Sequence, residues 1–261
     1  MAFHTLEIET RDRVATVWMN RPDAHNAFDE TLIHELTEAF ESVEKDPQAR
    51  VMVLAGRGKS FSAGADLNWM KRAAHASAEE NRRDARLLSK MIGALHRLPK
   101  PTIARVHGAA LGGGTGLTAA CDIAVATPQA SFATSEVKFG IIPAVISPYV
   151  IAAMGGRAAQ RYFLTGERFD AQEAYRLGLV HVVCDAAALD AKIAEIIQAL
   201  MAAGPQAQTA AKDLLMRVAN RPIDDVLRED TAQRIAVVRA TPEAKEGIAA
   251  FLEKRKPRWD S

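Results

Sequence analysis

The chain has 261 residues, of which 48% are hydrophobic and 25% are charged, and its formal net charge is +1. These values are typical of a soluble globular protein that buries a sizeable core, and they exclude a fibrous or disordered chain. Because positive and negative charges almost balance, bulk electrostatics gives no preference for nucleic acid or for an anionic membrane.

The amino-terminal residues and the two cysteines indicate the compartment. The opening MAFHTLEIETRDR reaches charged side chains at once, unlike a signal peptide. No run attains the roughly 18 apolar residues that a membrane-spanning helix needs. Cys121 and Cys184 are far apart in apolar surroundings, which is typical of reduced core cysteines. We therefore expect a cytoplasmic protein with no membrane partner and no metal site.

The first half of the chain alternates strands with helices. Period-two patterns on either side of a turn at TRD predict a hairpin, and Asp29 is predicted to cap the first helix. The apolar run RVMVLAG predicts a strand buried inside a parallel sheet. The predicted elements in chain order are strands at 3–9 and 13–19, a helix at 30–44, a strand at 50–56, helices at 66–72 and 78–97, and a strand at 101–108.

Helices dominate the second half. Strand and helix alternate up to about residue 183, which implies right-handed crossovers and parallel pairing. Gly204-Pro205 marks the predicted boundary between an α/β core at 1–203 and a helical region at 204–261. The predicted elements are a short helix ending at 120, strands at 122–127 and 130–134, helices at 147–154, 156–164 and 170–177, a strand at 179–183, and helices at 187–202, 206–219, 223–239 and 242–253.

The stretch GAALGGGTGLTAACD places five glycines within nine residues, at a high cost in backbone entropy. A dinucleotide-binding fingerprint is excluded because Leu117 stands where its last glycine belongs, and a P-loop is excluded because Val53 stands where its first glycine belongs. Two interpretations remain. The glycines either permit close packing of a helix on a strand, or they let backbone N–H groups approach a carbonyl oxygen as an oxyanion hole.

A second small-residue loop, SFSAGAD, also follows a buried strand and precedes a helix. The carboxyl ends of parallel strands lie at one edge of a sheet, where open α/β sheets bind ligands. Each loop can then supply one N–H group to the same oxygen, which favours the oxyanion hole.

The segments FSAGADL, VHGAALGGGTGL, CDIAVAT and SEVKFGIIPA, in this order and at this spacing, resemble the crotonase family, the enoyl-CoA hydratase/isomerase superfamily. The resemblance runs from MNRPDAHNAF to AFLEKRKP. It implies an α/β fold in which a spiral of ββα units precedes a C-terminal helical region that drives assembly into a homotrimer or a hexamer. It also implies an acyl-CoA thioester as substrate, with coenzyme A as part of that substrate and no separate cofactor.

The resemblance assigns the oxyanion-hole N–H groups to Ala65 and Gly113. Hydratases of this family typically use two glutamates, one two residues after the glycine triplet and one in the segment that reads SEVKFG here. This sequence has Gly116 at the first position and Glu136 at the second. Glu136 is therefore expected to move a proton at the α-carbon, with a pKa tuned by a partly apolar pocket.

Because the first glutamate is absent, three functions stay open. One is a hydratase whose water is held by another group, such as a carboxylate of the substrate itself. The second is a Δ3,Δ2-enoyl-CoA isomerase that shuttles a proton with one glutamate. The third is a non-catalytic binder of CoA esters or RNA. The segment SEVKFGIIPAVISPYVIAAMG resembles bacterial 3-methylglutaconyl-CoA hydratases. This resemblance favours a hydratase of a branched, carboxylated enoyl-CoA.

The resemblance also implies a set of substrate-binding residues. Main-chain contacts to CoA are expected at the loop that contains Ala24 and Ala27, and beyond it at Ala63, Asp66 and Leu67. The other candidates are Trp69 at the acyl pocket, Gly112 and Ser135 beside the catalytic residues, and Arg21 and Lys254 at the CoA phosphates, with Lys254 supplied by a neighbouring subunit.

For the basic residues, a solvated surface charge is the competing interpretation. Lys71, Arg72 and Lys138 are candidates to bind a distal carboxylate, whereas Asp122 and His107 are interpreted as structural. The basic tail EKRKPRW is short and the net charge is small, so no nucleic-acid partner is expected.

Overall fold

The computed structural model describes residues 3–260, and the chain divides into two compact units. The first comprises the residues up to Leu98 together with Thr102–Ile193, and the second comprises Pro99–Pro101 and the residues from Ala194 onward. The division falls inside a helix, Leu189–Ala202. The predicted boundary at Gly204-Pro205 coincides instead with the start of the next helix, where Pro205 occupies the first turn.

The strands all belong to the first unit. In chain order they are β1 (Leu6–Arg11), β2 (Val14–Met19), β3 (Val51–Gly56), β4 (Thr102–Val106), β5 (Ala109–Leu111), β6 (Ile123–Ala126), β7 (Ser131–Ala133), β8 (Phe169–Asp170) and β9 (Val182–Val183). The helices are α1 (Glu30–Lys45), α2 (Leu67–Ala73), α3 (Ala78–Arg97), α4 (Gly113–Ala120), α5 (Ser147–Met154), α6 (Gly156–Thr165), α7 (Ala171–Arg176), α8 (Leu189–Ala202), α9 (Pro205–Val218), α10 (Asp225–Arg239) and α11 (Pro242–Leu252).

A six-stranded sheet forms the centre of the first unit, with the order β1-β2-β3-β4-β6-β9. The β1–β2 hairpin is antiparallel, and every other neighbouring pair in this sheet is parallel. All six residues of β3 are buried, as its continuous apolar sequence predicts for a strand covered on both faces. The predicted hairpin and parallel pairing are therefore confirmed.

The first helix packs its apolar side into the core. Asp29 caps α1 by accepting a hydrogen bond from the Leu32 N–H group at 2.8 Å, as the sequence predicts. The side chains of Leu32, Leu36 and Phe40 are fully buried in one hydrophobic cluster. Burial of each such side chain stabilises the fold by about 1.5–3 kcal/mol relative to exposure.

A second sheet, with the order β5-β7-β8, was not predicted as a sheet, and two of its strands were missed. Its strands have only three, three and two residues, too few to show alternation in the sequence. Phe132 of β7 pairs with Ala110 of β5 on one side and with Phe169 of β8 on the other. This small sheet positions the start of α4, because the Gly112 N–H group donates to the Ala133 carbonyl at 2.8 Å.

Two predicted strands begin three residues later in the structure because hydrogen bonds outside the sheet occupy N–H groups near their predicted starts. The His4 and Thr5 N–H groups donate to the Glu35 carboxylate at 2.8 Å each, and β1 begins only at Leu6. At the other edge of the sheet, Leu179 and Val180 follow α7, and their N–H groups donate to the carbonyl of Ala174 in that helix. The predicted strand at 179–183 is thereby reduced to β9.

The second unit is helical. Arg234 of α10 pairs with Asp213 of α9 and with Asp230 one turn before it, while Arg255 pairs with Glu246 of α11. Several large apolar side chains of this unit are exposed, among them Leu215, Ile223, Val226, Val237, Phe251 and Leu252. A membrane-spanning helix is not found among residues 3–260.

Candidate active site

The two small-residue loops lie at the carboxyl ends of the neighbouring parallel strands β3 and β4. They pair with each other through backbone hydrogen bonds. The Ser62 N–H group donates to the Ala109 carbonyl at 3.0 Å, and the Leu111 N–H group donates to the Ser62 carbonyl at 2.9 Å. A Cβ on Gly112 would be 3.9 Å from the Cα of Gly64. The residues that follow these two glycines are Ala65 and Gly113, so the structure brings the two predicted oxyanion-hole residues together.

The backbone around both residues leaves their N–H groups available. The backbone of Phe28 forms hydrogen bonds with the residues on either side of Ala65. Its N–H group donates to the Gly64 carbonyl at 2.6 Å, and its carbonyl accepts from the Asp66 N–H group at 2.9 Å. Among the described residues, no acceptor is found for the N–H group of Ala65 or of Gly113, the first residue of α4. Two unpaired N–H groups on adjacent loops are what an oxyanion hole requires.

The Phe28 ring leaves no room for a side chain at Gly113. A Cβ on Gly113 would lie 2.1 Å from Cε2 and 2.6 Å from Cδ2 of that ring, a distance at which the ring or α4 must move. The glycine therefore permits the close approach that the sequence suggested. Phe28 itself was not singled out by the sequence, because a buried phenylalanine after a turn gives no signal beyond packing.

Glu136 supplies the carboxyl group of the site. It begins a short 3-10 helix, Glu136–Phe139, that follows β7. A Cβ on Gly112 would be 3.2 Å from its Oε1 atom, while Oε2 is buried and has no hydrogen-bond partner among the described residues. Burial raises the pKa of Glu136 above the ordinary value of 4.5. A half-buried carboxyl group whose pKa is raised by burial is suited to general acid–base chemistry.

Position 116 is closed to any side chain. Gly116 is buried in α4, and a Cβ there would stand 2.2 Å from Cγ2 and 2.8 Å from Cβ of Ile146. Ile146 immediately precedes α5 and is only 3% exposed. The sequence identified the missing glutamate but not the residue that fills its place, because the contact joins positions thirty residues apart.

Arg21 ties the site loops to each other. Its guanidinium pairs with Asp29 at 2.9 Å and with Asp66 at 3.2 Å, and it also donates to the Ala27 carbonyl. The contact with CoA phosphates that the sequence predicted for Arg21 is not tested by this arrangement. Its observed partners give it a structural role at the entrance to α2, since Asp66 is the cap of that helix.

Asn26 is a site-building residue that the sequence analysis missed. Its Oδ1 atom accepts from the Arg21 N–H group at 2.8 Å, and its Nδ2 atom donates to the carbonyls of Arg57 and Ser60 at 2.9 Å each. A buried amide that links three backbone positions fixes the path of the loop. The NRPDAHNAF turn was the available signal, since Asn at positive φ is a frequent loop residue; here φ is 53°.

The predicted CoA-binding residues divide into those on the paired loops and those elsewhere. Ala24 and Ala27 lie on the loop before α1, and the Ala63 N–H group donates to the His25 carbonyl of that loop at 2.9 Å. Leu67 opens α2 and is 74% exposed. Ala27 is buried, so the accessible members of this group are Ala24, Ala63 and Leu67, whereas Lys254 is an exposed residue of the second unit.

The remaining candidates near the reacting groups differ in their hydrogen bonding. Trp69 packs against the core, and its Nε1–H group is buried without a partner among residues 3–260. The carbonyl of Ser135 accepts from the Lys138 N–H group at 3.0 Å, which holds the turn that carries Glu136.

Among the proposed carboxylate-binding cations, Arg72 has another carboxylate as its partner in this structure. Arg72 binds both carboxylate oxygens of Glu30, at 2.8 and 2.6 Å. The methylene chain of Lys138 lies over Gly166, 3.2 Å from where its Cβ would be. In the part of the chain that the structure describes, His, Cys, Asp and Glu side chains do not form a group of three or more that would hold a metal ion.

Asp122 and His107 have structural contacts, as the sequence predicted. The Asp122 carboxylate accepts from the N–H and hydroxyl groups of Thr102 at 2.7 and 2.8 Å, which joins the end of α4 to the start of β4. The His107 ring lies 2.9 Å from the Gly58 carbonyl.

Comparison with known proteins shows similarity over nearly the whole chain. A family model described as enoyl-CoA hydratase/isomerase matches residues 9–261. A putative enoyl-CoA hydratase of Thermus thermophilus is 36% identical over 249 residues, which are 95% of this chain and 98% of that protein. The crotonyl-CoA hydratase of Syntrophomonas wolfei is 32% identical over 263 residues, 100% of both chains. The crystal structure of an enoyl-CoA hydratase from Shewanella pealeana superimposes with a TM-score of 0.96 at 46% identity, covering 98% of this chain and 96% of that one.

Proposed function

Because the chain belongs to the enoyl-CoA hydratase/isomerase family and has its α/β fold, we propose that this enzyme is a hydro-lyase that adds water to a 2-enoyl-CoA thioester. The observation that supports this proposal most directly is the placement of the Glu136 carboxyl group over Gly112, beside the unpaired N–H groups of Ala65 and Gly113.

The proposed reaction begins at the thioester carbonyl, whose oxygen accepts hydrogen bonds from Ala65 and Gly113. Water adds its oxygen to the β-carbon, and the electron pair of the double bond moves onto the carbonyl oxygen as an enolate. Glu136 then delivers its proton to the α-carbon. The proton released by the added water returns to Glu136, directly or through a carboxylate of the substrate, so that Glu136 is regenerated and the net change is one water gained. Each oxyanion-hole donor contributes about 10²–10³-fold to the rate of such a reaction.

We further propose that the substrate is a branched enoyl-CoA with a distal carboxylate, such as 3-methylglutaconyl-CoA. Two features support this substrate. Glu136 is the one family glutamate that the chain retains, and the segment SEVKFGIIPAVISPYVIAAMG resembles hydratases of that substrate. A distal carboxylate would hold the water that Gly116 cannot hold. The bound ester contains coenzyme A, and no separate cofactor takes part in this scheme.

A second candidate is favoured by the same single carboxyl group. A Δ3,Δ2-enoyl-CoA isomerase needs one base that removes a proton from one carbon and returns it to another, and Glu136 alone has the required chemistry. No water is consumed in that reaction, so the absence of a side chain at Gly116 would carry no cost.

The test compares three esters with the purified protein. We expect 3-methylglutaconyl-CoA to gain one water by mass, with much slower gain on crotonyl-CoA. A 3-enoyl-CoA ester is analysed by chromatography against a 2-enoyl standard, because isomerisation leaves the mass unchanged. Conversion of that ester without hydration of either 2-enoyl ester would establish the isomerase and contradict the hydratase proposal.

We also propose that the protein assembles as a homotrimer or a hexamer. The exposed large apolar side chains of the second unit support this, because an interface between subunits would remove them from water. Light scattering coupled to gel filtration measures the mass. A monomer at micromolar concentration would contradict the proposal.

A further inference from the structure

The Ile146 side chain fills the volume that a side chain at position 116 would need. The Cβ position of residue 116 is 2.2 Å from Cγ2 and 2.8 Å from Cβ of Ile146, and Ile92 closes the same volume with Cδ1 at 3.7 Å. Rotation about χ1 of Ile146 would move Cγ2 but would leave its Cβ atom at 2.8 Å, and a β-branched side chain is stiff at χ1. A side chain at position 116 therefore requires Ile146 or the backbone beside it to move.

This contact lies one helical turn from the residue that the Glu136 carboxyl group approaches. Glu136 Oε1 lies over Gly112, which caps α4, and the Gly116 N–H group donates to the Gly112 carbonyl at 3.1 Å. Position 116 is therefore about one helical pitch, roughly 5.4 Å, from Gly112.

We propose that Ile146 is a specificity-determining residue: it fills the volume of a second carboxyl group beside Glu136 and restricts efficient hydration to substrates that bring their own water-binding carboxylate. This inference rests on the proposed hydratase function. In this proposal, an apolar side chain that takes no part in the reaction determines whether carboxylated or simple enoyl esters are hydrated.

The surroundings of Glu136 agree with a wall that carries no charge. Burial is the only cause that raises the pKa of Glu136, with no contribution from another carboxylate. A second carboxylate nearby would shift one member of the pair further upward, because two like charges resist ionisation at short range.

The first experiment tests the packing and needs no substrate. Thermal unfolding is measured for Gly116→Ala, Ile146→Gly and the double variant. Glycine is used at position 146 because an alanine Cβ would remain 2.8 Å from the Cβ at position 116. We expect each single change to lower Tm and the double variant to lose less than the sum of the two. Losses that simply add would show that the two positions are independent, and this result would overturn the proposal.

The second experiment tests the specificity. We expect Gly116→Glu alone to hydrate crotonyl-CoA no faster than the parent protein, and Gly116→Glu with Ile146→Gly to hydrate it about 10²-fold faster. The matched control combines Gly116→Glu with Ile151→Gly, because Ile151 is an exposed isoleucine in α5, five residues after Ile146. Faster hydration by Gly116→Glu alone, or equal gain in the control, would overturn the role of Ile146.

These results separate failure of the inference from failure of the proposed function. If the parent protein hydrates neither carboxylated nor simple esters, the hydratase proposal fails whatever the unfolding data show. If the parent prefers the carboxylated ester but the folded double variant gains nothing on crotonyl-CoA, Ile146 does not set the preference. If the glutamate variants do not fold, the unfolding measurements on Gly116→Ala, Ile146→Gly and their double variant decide alone, and additive losses of Tm refute the inference.

Discussion

The Glu136 carboxyl group lies over Gly112, so that a Cβ on Gly112 would stand 3.2 Å from the Oε1 atom. Gly112 has φ of 50°, in the region that favours glycine, and it is the residue from which α4 starts. The acid–base group and the start of the helix that supplies one oxyanion-hole N–H group are thus held against each other. This relationship makes the site sensitive to small changes on either side.

Replacing Glu136 with Gln removes the transferable proton and keeps the size of the side chain. We expect kcat to fall about 10²–10⁴-fold, which is the usual worth of one general acid–base group. Binding of a CoA ester, measured by calorimetry, is expected to stay close to that of the parent. Glu44→Gln is the control, since Glu44 is an exposed residue of α1. Undiminished turnover by the Glu136 variant would exclude Glu136 from the reaction.

The same variant has a predicted effect on stability that depends on pH. Burial raises the pKa of Glu136 above 4.5, so the native state binds this proton more tightly than the unfolded state. Stability therefore declines as pH rises from 4.5 through the native pKa, because the native protein must then bury a charge. We expect Glu136→Gln to have a higher Tm than the parent at pH 7 and a shrinking advantage toward pH 4. An advantage that is constant across this range would contradict a raised pKa.

A methyl group on Gly113 is predicted to disturb the oxyanion hole. Its Cβ would meet the Phe28 ring at 2.1 Å, so the N–H group of residue 113 or the ring must shift. We expect Gly113→Ala to lower kcat about 10²–10³-fold, as loss of one oxyanion-hole donor does. Gly156→Ala is the matched control, because no atom lies within 4 Å of its Cβ position. Steady-state kinetics that do not distinguish the two variants would show that Gly113 is not part of the hole.

Loss of the Arg21 side chain is predicted to destabilise the site loops. Burial alone would raise the pKa of Asp66, but the N–H groups of Trp69 and Asn68 and the Arg21 guanidinium hold it below its ordinary value. A carboxylate with a lowered pKa contributes stability above its ordinary pKa, and that contribution is lost as pH falls through the native pKa. We expect Arg21→Ala to cost about 2 kcal/mol at pH 7 and less at pH 3.

Arg11→Ala provides the comparison for Arg21, because Arg11 pairs with Asp12 while both side chains are mostly exposed. Exposed pairs contribute about 0–1 kcal/mol, so chemical denaturation should detect little change. Equal losses from the two arginine variants would mean that the contacts of Arg21 with Asp29 and Asp66 add no more than an exposed ion pair.

Local sequence was sufficient for the elements whose signals are local. The cap at Asp29 and the apolar run of β3 each depend on neighbouring residues, and both are found where they were predicted. Strands β5 and β8 could not be predicted, since they exist only because β7 lies between them. The amino end of β1 was also misplaced, because the carboxylate that binds Thr5 comes from Glu35 on α1.

The sequence by itself determined the α/β class and the helical end of the chain through periodicity, and it determined the family through its motifs. The resemblance to that family then assigned Glu136, Ala65 and Gly113 as the candidate catalytic residues. Tertiary structure alone decided that Asn26 and Arg21 join the loops and that Ile146 fills the space beside Gly116. Such contacts depend on which side chains compete for one volume, and that competition is settled only when distant segments pack together.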